Sequence, residues 1–143
     1  MKSHNILLII VVLAMVGTAD TFYLTYKHYS QSGLACSILN GCQEVLGSAY
    51  SMVGPIPLAL LGLLYYVVLL GLLLRYLFKS SSSCLRYVLA LSGCGLMVSG
   101  YLVFIQGFVI KAWCQYCVLS AGITLGIFAG VWYLNRVAIQ STR

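Results

Sequence analysis

The ten charged side chains of this chain, eight Lys or Arg and two Asp or Glu, are separated by long uncharged apolar runs, and that spacing constrains the fold more than any other feature. A run that is apolar on every face has no side to turn to water, whereas a bilayer core accepts it at about 20 residues per helix. Four runs qualify, at 6–26, 56–78, 87–110 and 116–134. Membrane-spanning strands would instead alternate in segments of roughly ten residues. The expected fold is therefore an all-α membrane protein: a four-transmembrane-helix bundle forming one domain over 1–143, with a long outward loop at about 27–55. Composition excludes the soluble alternative, since 7% charged residues against 62% hydrophobic is far below the roughly one quarter charged of a soluble domain.

Charge placement also gives an orientation. Lys2, Arg75, Lys79, Arg86, Arg136 and Arg143 fall on the side of the two termini, and only Lys27 and Lys111 fall opposite. The positive-inside rule then puts both termini in the cytoplasm. Aromatic residues mark the two interfaces: Tyr26, Tyr29, Tyr50, Trp113 and Tyr116 outside, Tyr76, Tyr87, Trp132 and Tyr133 inside. Lys2, the stretch from Ile6 to Val16 and the triplet Gly17-Thr18-Ala19 also fit a cleavable secretory signal. The apolar pattern continues past Asp20 through Phe22, Tyr23 and Leu24, which favours an uncleaved span. The net charge of +6 is scattered between apolar runs, so it reads as topology, and no nucleic-acid partner is expected. Within the spans, Gly93 with Gly95, Ser99 with Gly100, and above all the series Gly122, Gly126, Gly130 would let backbones approach closely.

This topology sorts the six cysteines. Cys84 falls in the cytoplasmic link and Cys94 inside the third span, where thiols act as small apolar groups. Cys36 and Cys42 lie in the long outward loop, and Cys114 and Cys117 at the threshold of the fourth span, all four in the compartment where disulfides persist. Cys114-Gln115-Tyr116-Cys117 is a C-x-x-C at a helix N-terminus, where unpaired N–H groups and the helix dipole favour a thiolate on one of the two sulfurs. Haem attachment would need a histidine where Val118 stands. Zinc held by all four cysteines would have an irregular ligand spacing, and a purely structural pair of disulfides is a further reading.

Against these stands a redox relay. A mobile loop dithiol reachable from water and a helix-fixed dithiol at the lipid boundary can together carry electrons from a soluble thiol protein to something dissolved in the membrane. A lipid-soluble quinone, which takes two electrons and two protons, is the natural acceptor.

Four spans, Cys36-x5-Cys42 in the first outward loop, Ser48 shortly after it, the Gly54-Pro55-Ile56-Pro57-Leu58 entry to the second span, and Trp113-Cys114-Gln115-Tyr116-Cys117 at the fourth together resemble the vitamin K epoxide reductase family. The likeness runs over nearly the whole chain and is strongest to the short bacterial homologues. DsbB proteins do similar work with the two cysteine pairs in the opposite order. The resemblance implies a quinone-dependent thiol-disulfide oxidoreductase of the bacterial inner membrane that reoxidises a thioredoxin-like, DsbA-like partner, with a ubiquinone- or menaquinone-type acceptor. It implies that the partner thiolate attacks Cys36 and frees Cys42, which attacks Cys114 and releases Cys117 beside the quinone. Ser48 matches a family serine or threonine near the quinone head, with capping of a short interfacial helix as its alternative role. This chain carries no fused thioredoxin-like domain, so the partner is expected to be a separate protein. Ala121 and Leu58 stand where the vertebrate reductases carry a tyrosine and an asparagine, which counts against epoxide reduction.

Asp20 falls about six residues inside the outer boundary of the first span, roughly 9 Å at the helical rise. Two readings of it stay open: proton handling or partner contact, and a hydrated structural carboxylate. A small four-helix proton-coupled exporter using Asp20 is the rival function, and it leaves the four outward cysteines without a role.

Overall fold

The computed structural model describes residues 2–30, 41–79 and 82–141. Five helices account for most of them: α1 (Lys2–Ser30), α2 (Cys42–Leu46), α3 (Leu58–Lys79), α4 (Ser82–Phe104) and α5 (Gln115–Ser141). A π-helical segment, Ile105–Ile110, continues α4. Four stretches are long and apolar enough to cross a membrane: Ser3–Ser30, Leu58–Lys79, Ser83–Ile110 and Gln115–Gln140. The protein is thus a multi-pass helical membrane protein, as the apolar runs require.

The helices overrun the runs that predicted them. α1 begins before residue 6 and ends after 26, and α5 continues beyond 134, because backbone hydrogen bonding carries on through polar residues in the interface while only the apolar part must match the bilayer. The second span begins two residues later than expected. Ile56 and Pro57 form a strand, β2, that pairs antiparallel with β1 (Met52–Val53), with Val53 opposite Ile56. Gly54 turns this hairpin at φ +63°, a left-handed conformation that costs glycine nothing. Cys84, expected in the link, sits buried in the first turn of α4.

The four long helices pack in a ring, α1 against α3, α3 against α4, α4 against α5, and α5 back against α1. Phe22, Phe78, Met97, Tyr101 and Phe108 point out of this ring and are well exposed, as side chains facing lipid would be. The core is filled from all four sides by Ile10 and Ala14, Leu69 and Leu73, Val88, and Ile127 and Val131. Of the glycines expected to bring helices together, Gly93 comes close to Phe128 and Gly95 to Tyr65, while Gly100 meets open space; the α5 series behaves similarly. A side chain on Gly126 would meet Leu13, and one on Gly130 would meet Ile10, whereas Gly122 faces open space.

Tyr66 is the largest fully buried side chain, with its ring against Gly17. A phenol in an apolar core needs a partner, and its hydroxyl has three: Ser120 O at 2.9 Å, Thr124 Oγ1 at 3.0 Å and Ser120 Oγ at 3.1 Å. This polar knot ties α3 to α5 just below the start of α5.

Candidate functional site

The connection from α4 to α5 is held by one residue. Gln106, in the π-helical segment, accepts the Ala112 N–H on its backbone oxygen at 3.1 Å and the Cys114 N–H on its side-chain Oε1 at 3.0 Å. Between them Lys111 takes a left-handed conformation, φ 57°, that lets the chain reverse within four residues. A single-turn π segment inside an α-helix often marks a working site. Here it presents Gln106 so that both of its carbonyl oxygens satisfy N–H groups of the following turn. The sequence reading passed over Gln106. Its signal was present, because an amide within an otherwise apolar span must find a partner in the protein.

Cys114 therefore stands immediately before α5 with its N–H taken, and Cys117 follows in the first turn. Val118 N–H closes that turn on Cys114 O at 3.0 Å. The two sulfurs are hydrogen-bonded to each other, and backbone N–H groups of Cys117 and Tyr116 point at Cys114. The hydrogen bond from Cys117 is the largest influence, and with the backbone donors it outweighs burial and lowers the Cys114 thiol to about 7 from its ordinary 9.0. The Cys117 hydrogen bond, helped by the backbone donors at the start of α5, thus favours the thiolate on the first sulfur of the pair.

The outward side meets this pair through α2. A side chain on Gly41 would strike the backbone of Trp113 and the methyl of Ala112, so the glycine lets the start of α2 lie directly on the α4–α5 turn. Cys42, Val45, Ala112 and Cys114 then form a buried cluster, with Cys117 packed against its edge. Cys42 and Cys114 are both 0% exposed. Cys42 is disulfide-bonded, while Cys114 and Cys117 are free thiols. Cys36 lies outside the described residues.

Beneath the cluster is a cavity of about 390 Å³, within the range of small-molecule sites. Its wall takes residues from α1, α2, α3, α4 and α5, among them Thr21, Val45, Leu58, Gln106 and Cys117. Cys117 lines it and Cys114 does not. Cys114 thus lies within the cluster shared with α2, and Cys117 borders both that cluster and the cavity.

Ser48 lines the same cavity, but its hydroxyl donates to Val45 O at 2.7 Å and closes the C-terminal end of α2. That is the helix-capping role given as its alternative, at the C-terminal end of the short helix begun at Cys42. Cys94 also faces the cavity rather than being packed away. Asp20 lies ten residues before the end of α1, about 15 Å at the helical rise. It is 9% exposed on the bundle side, its Oδ2 has no hydrogen-bond partner among the described residues, and its charge acts on Cys114, Cys117 and Tyr66. A hydrated interfacial carboxylate would not be so enclosed.

Four apolar helices around an apolar cavity, with a C-x-x-C at its upper wall, define a membrane-embedded protein of thiol redox type. The family model described as the Vitamin K epoxide reductase family matches residues 8–132, and the chain belongs to that family. Membership makes it a redox enzyme of the quinone-linked thiol oxidoreductase kind. A search of the curated proteins finds no match.

Proposed function

We propose that this protein oxidises a separate thioredoxin-like, DsbA-like protein outside the cytoplasm and passes the electrons to a ubiquinone- or menaquinone-type quinone in a bacterial inner membrane, with both termini cytoplasmic. The partner's thiolate attacks the Cys36–Cys42 disulfide at Cys36 and leaves as the partner disulfide, so the loop pair becomes a dithiol. Cys42 then attacks Cys114 of an oxidised C-x-x-C, Cys117 departs as thiolate, and Cys36 closes on Cys42 to complete the exchange. Oxidation of the Cys114–Cys117 dithiol back to the disulfide releases two electrons and two protons, which convert quinone to quinol. The lowered Cys114 thiol suits this oxidation by quinone, because the thiolate is the reactive form of the sulfur. Ser48, its proton engaged with Val45, offers a quinone only its oxygen lone pairs unless the end of α2 rearranges.

The observation that carries this reading is the order of sulfurs through the wall: Cys42 and Cys114 share one buried cluster, and Cys117 is both packed on that cluster and part of the cavity. The test is to mix purified protein with reduced thioredoxin-like partner and a soluble quinone and follow quinone absorbance. Turnover is expected in the native chain and absent in Cys117→Ala. Normal turnover by Cys117→Ala would end the relay.

The enclosed carboxylate of Asp20 favours a second reading, a proton-coupled exporter. It requires that resistance to a toxic cation be lost in Asp20→Asn and kept when Cys36, Cys42, Cys114 and Cys117 are all replaced.

A further inference from the structure

The fully buried polar side chains that line the cavity are Thr21, Tyr66, Gln106 and Thr124. Three of them have spent their protons inside the protein. Thr21 donates to Gly17 O at 2.8 Å, Thr124 to Ser120 O at 3.0 Å, and Tyr66 to the Ser120–Thr124 group. Tyr65 also lines the cavity, and its hydroxyl oxygen meets no hydrogen-bond criterion among the described residues, but that oxygen has almost no accessible surface and lies against Gly95. It cannot reach a ligand without swinging out of its seat.

Gln106 is different. Its Oε1 accepts the Cys114 N–H, which fixes the other amide atom as the nitrogen. The residue is 3% exposed as a whole, yet no hydrogen bond from its Nε2 to a described residue is present and the nitrogen is not sealed off from accessible space. Two N–H donors in an apolar wall, on a residue that borders the cavity and holds the backbone of the C-x-x-C, are a recognition element without a ligand.

We infer that the Gln106 amide nitrogen donates a hydrogen bond to the carbonyl oxygen of a quinone ring seated beside Cys117, while its Oε1 keeps Cys114 in place. The inference rests on the quinone reading of the site and deepens it by naming the side chain that recognises the head group. One amide then fixes both reactants: its oxygen sets the thiol pair and its nitrogen sets the acceptor. The carbonyl oxygen gains negative charge as electrons arrive, so the N–H group that holds the ground state holds the reduced state more strongly.

The test uses the full-length oxidised protein in micelles, which holds no electrons for the quinone, and a short-chain benzoquinone labelled with carbon-13 at one carbonyl. In the infrared, one carbonyl band of the bound quinone is expected below the free-quinone position, and it returns to that position in Gln106→Met. In steady-state turnover the same variant is expected to raise the quinone KM about three- to tenfold, the worth of one neutral hydrogen bond, and to raise the KM for the reduced thiol partner by clearly less, the part due to the lost Oε1 contact with Cys114. A band unmoved by the substitution, or an equal rise in both KM values, overturns the inference, since the second pattern is what loss of Cys114 positioning alone would give. Should Gln106→Met fail to fold, the native side chain decides: in a nitrogen-15 spectrum one Gln106 amide proton must move downfield on adding quinone. If other cavity residues shift while this one does not, the inference falls and the quinone reading stands. If no cavity residue responds to quinone, both fall.

Discussion

The Cys114 thiol is held near neutrality chiefly by one neighbour, which makes the Cys117→Ala substitution a direct probe of the site's electrostatics. With the Cys117 hydrogen bond in place the thiol titrates at about 7, against an ordinary 9.0. Alanine removes that largest contribution and leaves burial, which disfavours the thiolate, opposed only by the backbone donors of residues 116 and 117. The titration then moves back toward the ordinary value. At pH 7 the thiolate fraction falls from about one half to a few per cent, a drop on the order of tenfold or more. Thiolate absorbance at 240 nm, followed from pH 5 to 10 in reduced protein with Cys36, Cys42, Cys84 and Cys94 replaced, reads the change without requiring any substrate. A midpoint that stays near 7 in Cys117→Ala would mean that the helix end alone activates Cys114, and the proposed pairing of the two sulfurs in the reduced state would be refuted.

The remaining predictions concern pH, packing and exchange. Quinone reduction by the pre-reduced native protein should rise about tenfold between pH 6 and pH 8, because a thiol titrating at about 7 gains its reactive thiolate over that interval; a flat profile or a midpoint near 9 would contradict it. Gly17→Ala places a methyl into the Tyr66 ring and should cost about 1–3 kcal/mol by overpacking, whereas Gly122→Ala, which meets open space, should leave thermal unfolding in micelles unchanged or slightly improved. Tyr66→Phe removes the hydroxyl from Ser120 and Thr124 and should lower stability by about 1 kcal/mol, with equal stability as the contrary result. Peptide mass spectrometry without reduction should find Cys42 joined to Cys114 in a Cys117→Ser variant, and its absence under every redox buffer would exclude exchange between the pairs.

Four apolar runs and ten isolated charges determine by themselves that this chain is a helical membrane bundle, because lipid admits only helices and closed barrels and these runs lack the alternation of barrel strands. The cysteine types and spacing, and the reason a thiolate belongs at the start of α5, were legible for the same kind of reason, since they depend on local chain geometry. What the tertiary structure alone decided is which groups face one another across the bundle. Gly41 lies on the Trp113 backbone, Cys42 shares a buried cluster with Cys114, Cys117 borders both that cluster and the cavity, and Gly122 contacts nothing. Asp20 read as borderline because apolar length alone placed it, and only the packing of the helices showed that its side chain is enclosed in the bundle. Gln106 stood out as an amide in an apolar run, but its use depends on a π-helical segment and a left-handed Lys111 that redirect a single amide. Periodicity and composition act along one helix, whereas these contacts join residues of separate helices, and their partners are set by how the four spans pack.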